Sequence, residues 1–267
     1  MPPHPVHLHH TDRPGNGPTL LLVHGWGGDG AEWSAHRRLW VHRRVVVPDL
    51  RGHGRSPRPR SGYGPRDYAA DLAALLDELG TGPVVAVGHS MGGQVVTALA
   101  VEHPWLVRAL VVLDPAYGAD AAELQRLPGE QRALRAEGPA WAVRFLAGAF
   151  RADAPDGLRA VRARHETLMG AMNPEVLALS RDGMYLAPDA FGARDAAAAY
   201  LARRRCPVLA VYATHRAAVW ERTTAAPAWS RTVEWEGCGH YLHEERPRAL
   251  VELADEWTRA LPSPHGS

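Results

Sequence analysis

The stretch Val84-Val85-Ala86-Val87-Gly88-His89-Ser90-Met91-Gly92-Gly93 can do chemistry. An apolar run, Val84 to Val87, reads as a strand, passes through Gly-x-Ser-x-Gly and enters a helical pattern from Gly92 to Glu102 that Pro104 stops. A serine in so sharp a strand-to-helix turn has its hydroxyl pushed out above the sheet edge. The chain packs so tightly there that positions two before and two after admit only small residues. Gly88 and Gly92 supply that space, and Ser90 is the expected nucleophile. A chance Gly-x-Ser-x-Gly would lack the strand before it and the helix after it.

Other residue types narrow the chemistry. All 30 basic residues are arginine. Without a lysine amine, Schiff-base catalysis and pyridoxal phosphate anchoring are excluded. The 30 basic against 29 acidic residues leave a formal charge of +1, and no block of five like charges occurs, so neither nucleic acid nor an anionic membrane is an expected partner. Of the 15 histidines, His4, His7, His9 and His10 cluster at the start and read as a solvated terminus. No histidine spacing matches a metal-ligand pattern, so neither a metal nor a cofactor is expected. Cys206 and Cys238 fall at the start of one strand and past the end of a parallel one. At about 3.3 Å per residue they are too far apart to bridge, which predicts free thiols in a reducing compartment. The N-terminus lacks a basic segment leading into an apolar one, and no apolar run approaches the roughly 20 residues that span a bilayer. The expectation is a soluble, cytoplasmic protein of unspecified oligomeric state.

To hold a serine at a sheet edge the chain must supply strands and helices in alternation. Thr19 to Val23, Val45 to Val47, Val84 to Val87 and Ala109 to Leu113 read as strands, with Asp67 to Leu79 and Gly92 to Glu102 as helices. Unbroken apolar runs mark strands covered on both faces, hence a mostly parallel central sheet flanked by helices, an α/β class. From Ala119 to Arg205 only helical periodicity is visible, punctuated at Gly129, Gly138-Pro139, Pro155, Asn173-Pro174 and Pro188. Strands resume at Pro207 to Tyr212 and Thr232 to Glu236, and a helix closes the chain from Pro247 to Leu261. With 267 residues, 46% of them hydrophobic, one large domain with an insertion is expected: residues 1–118 and 206–267 as core, 119–205 as a helical cap. Trp141, Phe145 and Phe150, then Met169, Met172, Met184, Tyr185 and Phe191, give the cap more apolar mass than a solvent-facing helix needs. Much of it is core. Trp141, Phe145, Met169 and Met184 are candidates to face the serine in an apolar substrate pocket. Arg126, Arg135, Arg144 and Arg162 read as a solvated face.

The Ser90 motif and its setting resemble the α/β-hydrolase family, and three further segments fall in that family's order. Leu20 to Gly28, with His24-Gly25-Trp26, looks like its oxyanion loop, which implies that the amides of Trp26 and Met91 form the oxyanion hole; fixed donors of this kind contribute about 3 to 4 kcal/mol each. The Trp26 side chain is a candidate pocket wall. Val45 to Ser56, with Asp49 and His53, resembles a strand-turn used for support. Gly237-Cys238-Gly239-His240-Tyr241-Leu242-His243 follows the last strand, where the family places its general base. His240 matches by position, and His243 is a supporting or pocket residue. His24 and His89 match structural histidines.

The sequence departs from the family at the triad's acid. The usual site follows the strand after the cap, and there Arg216 stands in Tyr212-Ala213-Thr214-His215-Arg216. A guanidinium cannot fix the tautomer of a base or stabilise its imidazolium. Asp114 is the candidate acid, because it ends the strand that the fold places beside the nucleophile strand; Glu221, or no acid at all, is the alternative. The resemblance implies a serine hydrolase that cleaves a hydrophobic carboxylic ester or lactone through an acyl-enzyme. Two other readings stay open. One is a cofactor-independent dioxygenase of the same fold using a His240/Asp114 dyad, although Gly28 stands where those enzymes carry a second histidine. The other is a non-catalytic binding protein on a hydrolase scaffold.

Overall fold

Seven strands form one sheet in the order β1-β3-β2-β4-β5-β6-β7. The computed structural model describes residues 4–151 and 157–262; residues 1–3, 152–156 and 263–267, and with them Pro155, lie outside the described residues. The strands are β1 (His10–Arg13), β2 (Asn16–Val23), β3 (Arg43–Pro48), β4 (Val84–His89), β5 (Val107–Leu113), β6 (Val208–Tyr212) and β7 (Arg231–Glu234). All neighbours run parallel except β1, which pairs antiparallel with β3 at one edge. The helices are α1 (Ser34–Leu39), α2 (Pro65–Glu78), α3 (Met91–Glu102), α4 (Ala121–Glu137), α5 (Pro139–Ala147), α6 (Gly157–Ala171), α7 (Pro174–Tyr185), α8 (Arg194–Leu201), α9 (His215–Thr223), α10 (Leu242–Glu245) and α11 (Pro247–Ala260).

The period-2 geometry of strands explains why the apolar runs are unbroken. Leu21, Val23, Ala86, Leu110, Val112 and Ala210 point to one face, where they pack with Leu72, Leu76, Val95 and Leu99 of α2 and α3. Leu20, Leu22, Val85, Val87, Val111 and Leu209 point to the other, against Trp33, Trp40, Leu250, Ala254 and Trp257. Both faces are therefore buried, as the runs predict. Between β5 and β6 the described residues form helices, α4 to α8, and their connections, with a bridge between Ala119 and Ala193. Leu134, Ala142, Leu146, Met169, Leu177 and Ala178 build a separate small core among these helices, completed by Tyr241, which follows β7. No helix among the described residues is long and apolar enough to cross a membrane.

Several sequence expectations need correction. Gly129 does not end a helix: α4 continues through Pro128 and Gly129. The sequence reading missed β1, His10–Arg13, because it has no apolar run; its burial is partial and it is paired on one side only. The segment after β6, where Arg216 stands, is a helix from His215. Cys206 and Cys238 are free, as expected, and both are buried.

Candidate active site

Ser90 lies at the β4–α3 junction with φ 52° and ψ −118°, in left-handed space that a non-glycine residue occupies only when its surroundings enforce it. The enforcement is visible. Ser90 N donates to Leu113 O (3.0 Å), while Ser90 O accepts from Gly93 N (3.0 Å) and Ala116 N (2.9 Å). A Cβ on Gly88 would stand 2.3 Å from Gly92 O, and one on Gly92 would stand 2.3 Å from Val23 O, so only glycine fits at either position. The first amides of α3, beginning at Met91, are the orphan donors that every helix N-terminus leaves, and they follow Ser90 directly.

The loop after β2 lies against the serine: a Cβ on Gly25 would come 3.4 Å from Ser90 Cβ. That loop is pinned from below, Gly25 N donating to Glu32 Oε2 at 3.1 Å. Trp26 comes next, its indole Nε1 donating to Ser180 Oγ (3.0 Å) and Leu177 O (3.3 Å) of α7. Gly28 faces Glu32 Oε2, where a Cβ would sit 3.0 Å away, so a side chain there would crowd the glutamate that pins the loop.

Asp114 and His240 meet. Asp114 Oδ2 lies 2.6 Å from His240 Nδ1, and Asp114 Oδ1 accepts from Ala213 N at 3.3 Å. Asp114 follows β5 with φ 42°, held by its N–H on Val211 O at 2.8 Å. Burial pushes its carboxyl up, but the His240 contacts and the Ala213 amide outweigh that and hold it below the usual carboxylate range. His240 follows β7, its amide on Ala149 O at 3.0 Å, and Ser90, Asp114 and His240 line one cavity of about 400 Å³. Arg216 pairs with Asp120 and Glu123 at the rim of that cavity. Glu221 is spent elsewhere, on Arg204 (3.1 Å) and Tyr212 OH (2.9 Å).

The other histidines of this region are bound into the scaffold. His24 Nε2 accepts from Leu50 N at 3.0 Å. His53 is fully buried, and burial pushes its imidazole down to about 3. Asp49 accepts from Gly30 N and Arg55 N and supports the turn. His89 contacts Glu32 Oε1 (2.9 Å) and His240 O (3.0 Å), and burial pushes it down to about 4.

A second cavity of about 180 Å³ shares the Ser90 wall and is lined by Trp26, Phe145, Met184 and Tyr185 together with Glu123, Arg126, Glu130 and Arg181. Of the predicted pocket residues, Trp26, Phe145 and Met184 thus reach it. Three do not. Trp141 stacks behind Phe145 with ring centroids 5.0 Å apart. Met169, 1% exposed, fills the small helical core beside Gly27. His243 is 0% exposed and lies beneath the site among Trp33, His36 and His89. Arg126 lines the cavity rather than only a solvated face. Arg181 and Glu130 escaped the sequence reading; the signal was the α7 face, where Leu177, Ser180, Arg181 and Met184 recur at helical spacing toward Trp26.

The profile of the alpha/beta hydrolase family matches residues 20–253. Among individual proteins, the chain is 40% identical over 147 residues to lipase LipV of Mycobacterium tuberculosis, a stretch covering 50% of this chain and 56% of the lipase. It spans between 29% and 56% of the length of the curated relatives it matches. In structure it is similar to a thermophilic esterase from Thermogutta terrifontis (TM-score 0.78, 27% identity, 94% of this chain and 93% of that one). It also shares its fold with the enol-lactonase of Burkholderia xenovorans LB400 (TM-score 0.79, 24% identity, 94% and 96%). The family profile spans almost the whole sheet and both ends of the site, and the chain belongs to the alpha/beta hydrolase family.

Proposed function

We propose that the protein is a serine hydrolase that cleaves a carboxylic ester or lactone through an acyl-enzyme on Ser90. The observation that carries this is the 2.6 Å contact between Asp114 and His240 in the cavity that Ser90 also lines. In this reading Asp114 accepts from His240 Nδ1–H and fixes the tautomer whose Nε2 takes the serine proton. Ser90 Oγ attacks the carbonyl carbon, the amides of Trp26 and Met91 receive the oxyanion, and the protonated His240 gives its proton to the leaving alkoxide. Water, activated by His240, then releases the acid. Trp26, Phe145, Met184 and Tyr185 suit an apolar substituent beside the scissile bond, and Arg126 and Arg181 with Glu123 and Glu130 make the outer wall polar. The helices of residues 119–205 act as a cap that selects the substrate.

The test is p-nitrophenyl butyrate hydrolysis by the wild type, Ser90→Ala and Asp114→Asn. Wild-type turnover, a dead Ser90→Ala and a loss of about 10³ to 10⁴ in kcat for Asp114→Asn support the triad. An Asp114→Asn enzyme that keeps most of its activity removes Asp114 from it. An inert wild type removes the esterase reading.

A further inference from the structure

Directly beneath Ser90 and His240 three buried side chains from distant segments converge. They are Glu32 from the turn after β2, His89 from the end of β4 and His243 from α10, all between 0% and 1% exposed. His89 Nδ1 lies 2.9 Å and His243 Nε2 3.2 Å from the same atom, Glu32 Oε1, and one donor atom of each residue lies within 4.8 Å of the other two. We propose that Glu32, His89 and His243 form a structural site for a divalent transition-metal cation of the zinc type.

The argument is one of donors and acceptors. His89 Nε2 faces the carbonyl of His240 at 3.0 Å, and a carbonyl only accepts, so Nε2 carries a proton. In the neutral ring Nδ1 then presents a lone pair to a carboxylate oxygen at 2.9 Å, and two acceptors at that distance need a cation between them. A shared proton would satisfy that pair and leave the third member out. His243 Nε2, 3.2 Å from the same oxygen, makes no well-aligned hydrogen bond to it, and Nδ1 has no hydrogen-bond partner among the described residues, although the side chain is wholly buried. A buried nitrogen without a partner costs free energy, and a metal would bond His243 Nε2 together with His89 Nδ1 and Glu32 Oε1.

The dimensions and surroundings fit. With metal–ligand bonds of about 2.0 to 2.2 Å, the 2.9 and 3.2 Å separations correspond to angles at the metal of about 90° and 100°. Two imidazoles and one carboxylate suit zinc and its neighbours rather than calcium or magnesium. The outer contacts are those of a metal site: His89 gives its other N–H to a backbone carbonyl, and Glu32 Oε2 accepts from Gly25 N. A bound cation would tie together the segments that carry Trp26, Ser90 and His240. The site stands independently of the esterase reading, because none of its ligands touches the substrate cavities.

The full chain, produced with zinc in the medium and desalted into metal-free buffer, is assayed for metals by mass spectrometry. The expected result is about one zinc per chain, lost in Glu32→Gln and in His243→Ala but kept in a His4→Ala, His7→Ala control for the histidine-rich start. Should either ligand variant fail to fold, cobalt(II) exchanged into the wild type gives the second readout, visible d–d bands of a protein-bound site. A wild type without zinc and without cobalt bands overturns the proposal and leaves a shared proton in the cluster. So does a zinc equivalent that survives both ligand variants.

Discussion

Asp114 meets two demands that conflict in most places: a carboxylate must be buried enough to hold one imidazole and yet remain charged. Burial alone would raise its carboxyl, and the His240 ring and the Ala213 amide reverse that. The sign of the consequence follows from linkage. A carboxyl lowered on folding stabilises the native state fully above its unfolded value of about 3.9, and that contribution is lost as pH falls through the folded value. Asp114→Asn is therefore expected to cost about 1 kcal/mol near neutrality, with the difference from wild type closing below pH about 4. Urea unfolding of both proteins across that range checks it; a constant difference would mean that the charge of Asp114 is irrelevant to the fold.

At the scale of elements the β4–α3 junction is the least tolerant place in the chain. Gly92 has backbone on the far side, Val23 O at 2.3 Å from any added Cβ, and backbone cannot swing aside as a long side chain can. Gly92→Ala is expected to destabilise the protein by at least about 1 to 3 kcal/mol and to remove activity, because relief requires Ser90 to move. Thermal unfolding together with residual turnover measures both effects, and a soluble, fully active Gly92→Ala enzyme would show that the turn has slack. This junction was legible in the sequence because sterics leave almost no choice of residue there. The parallel strands were legible for a related reason, since burial on both faces demands unbroken apolar runs. What stayed hidden depended on partners distant in sequence. His10–Arg13 is a strand only because Arg43–Pro48 pairs with it. Pro128 sits inside α4 because packing against α7 outweighs its poor helix propensity. Periodicity showed that Met169 and Trp141 lie on apolar helix faces, but not whether those faces meet the serine or one another. The Glu32–His89–His243 cluster has no spacing at all, each member being more than 50 residues from at least one other.

Across the whole molecule, the helices between β5 and β6 are fastened to the segment that carries His240. Arg164 and His165 of α6 both contact the carboxylate of Glu244, four residues beyond His240, and Phe150 stacks on Tyr241 with ring centroids 4.8 Å apart and planes 9° from parallel. Burial pushes the Glu244 carboxyl up, and its bond to His165 pulls it back below the usual range. Its contribution, like that of Asp114, is then present above the unfolded carboxylate value of about 4.3 and fades as pH falls through the lowered folded value. Glu244→Gln keeps the shape and removes the charge, which leaves the 3%-exposed His165 without its anion. The expected cost is about 1 to 3 kcal/mol at neutral pH. Because the fastening joins α6 to α10, the loss should be local before it is global. Amide exchange in α6 and α10 is expected to speed up while exchange in the buried strands β4 and β5 stays near wild type. The same loosening should raise KM for an ester more than it lowers kcat, since α5, which packs on α6 and carries the lining residue Phe145, loses support while Asp114 and His240 keep their contact. Hydrogen exchange and steady-state kinetics on the one variant decide the matter. Uniform acceleration of exchange, or a fall in kcat with KM unchanged, would place Glu244 in the general fold instead of in the joint between the helices and the sheet.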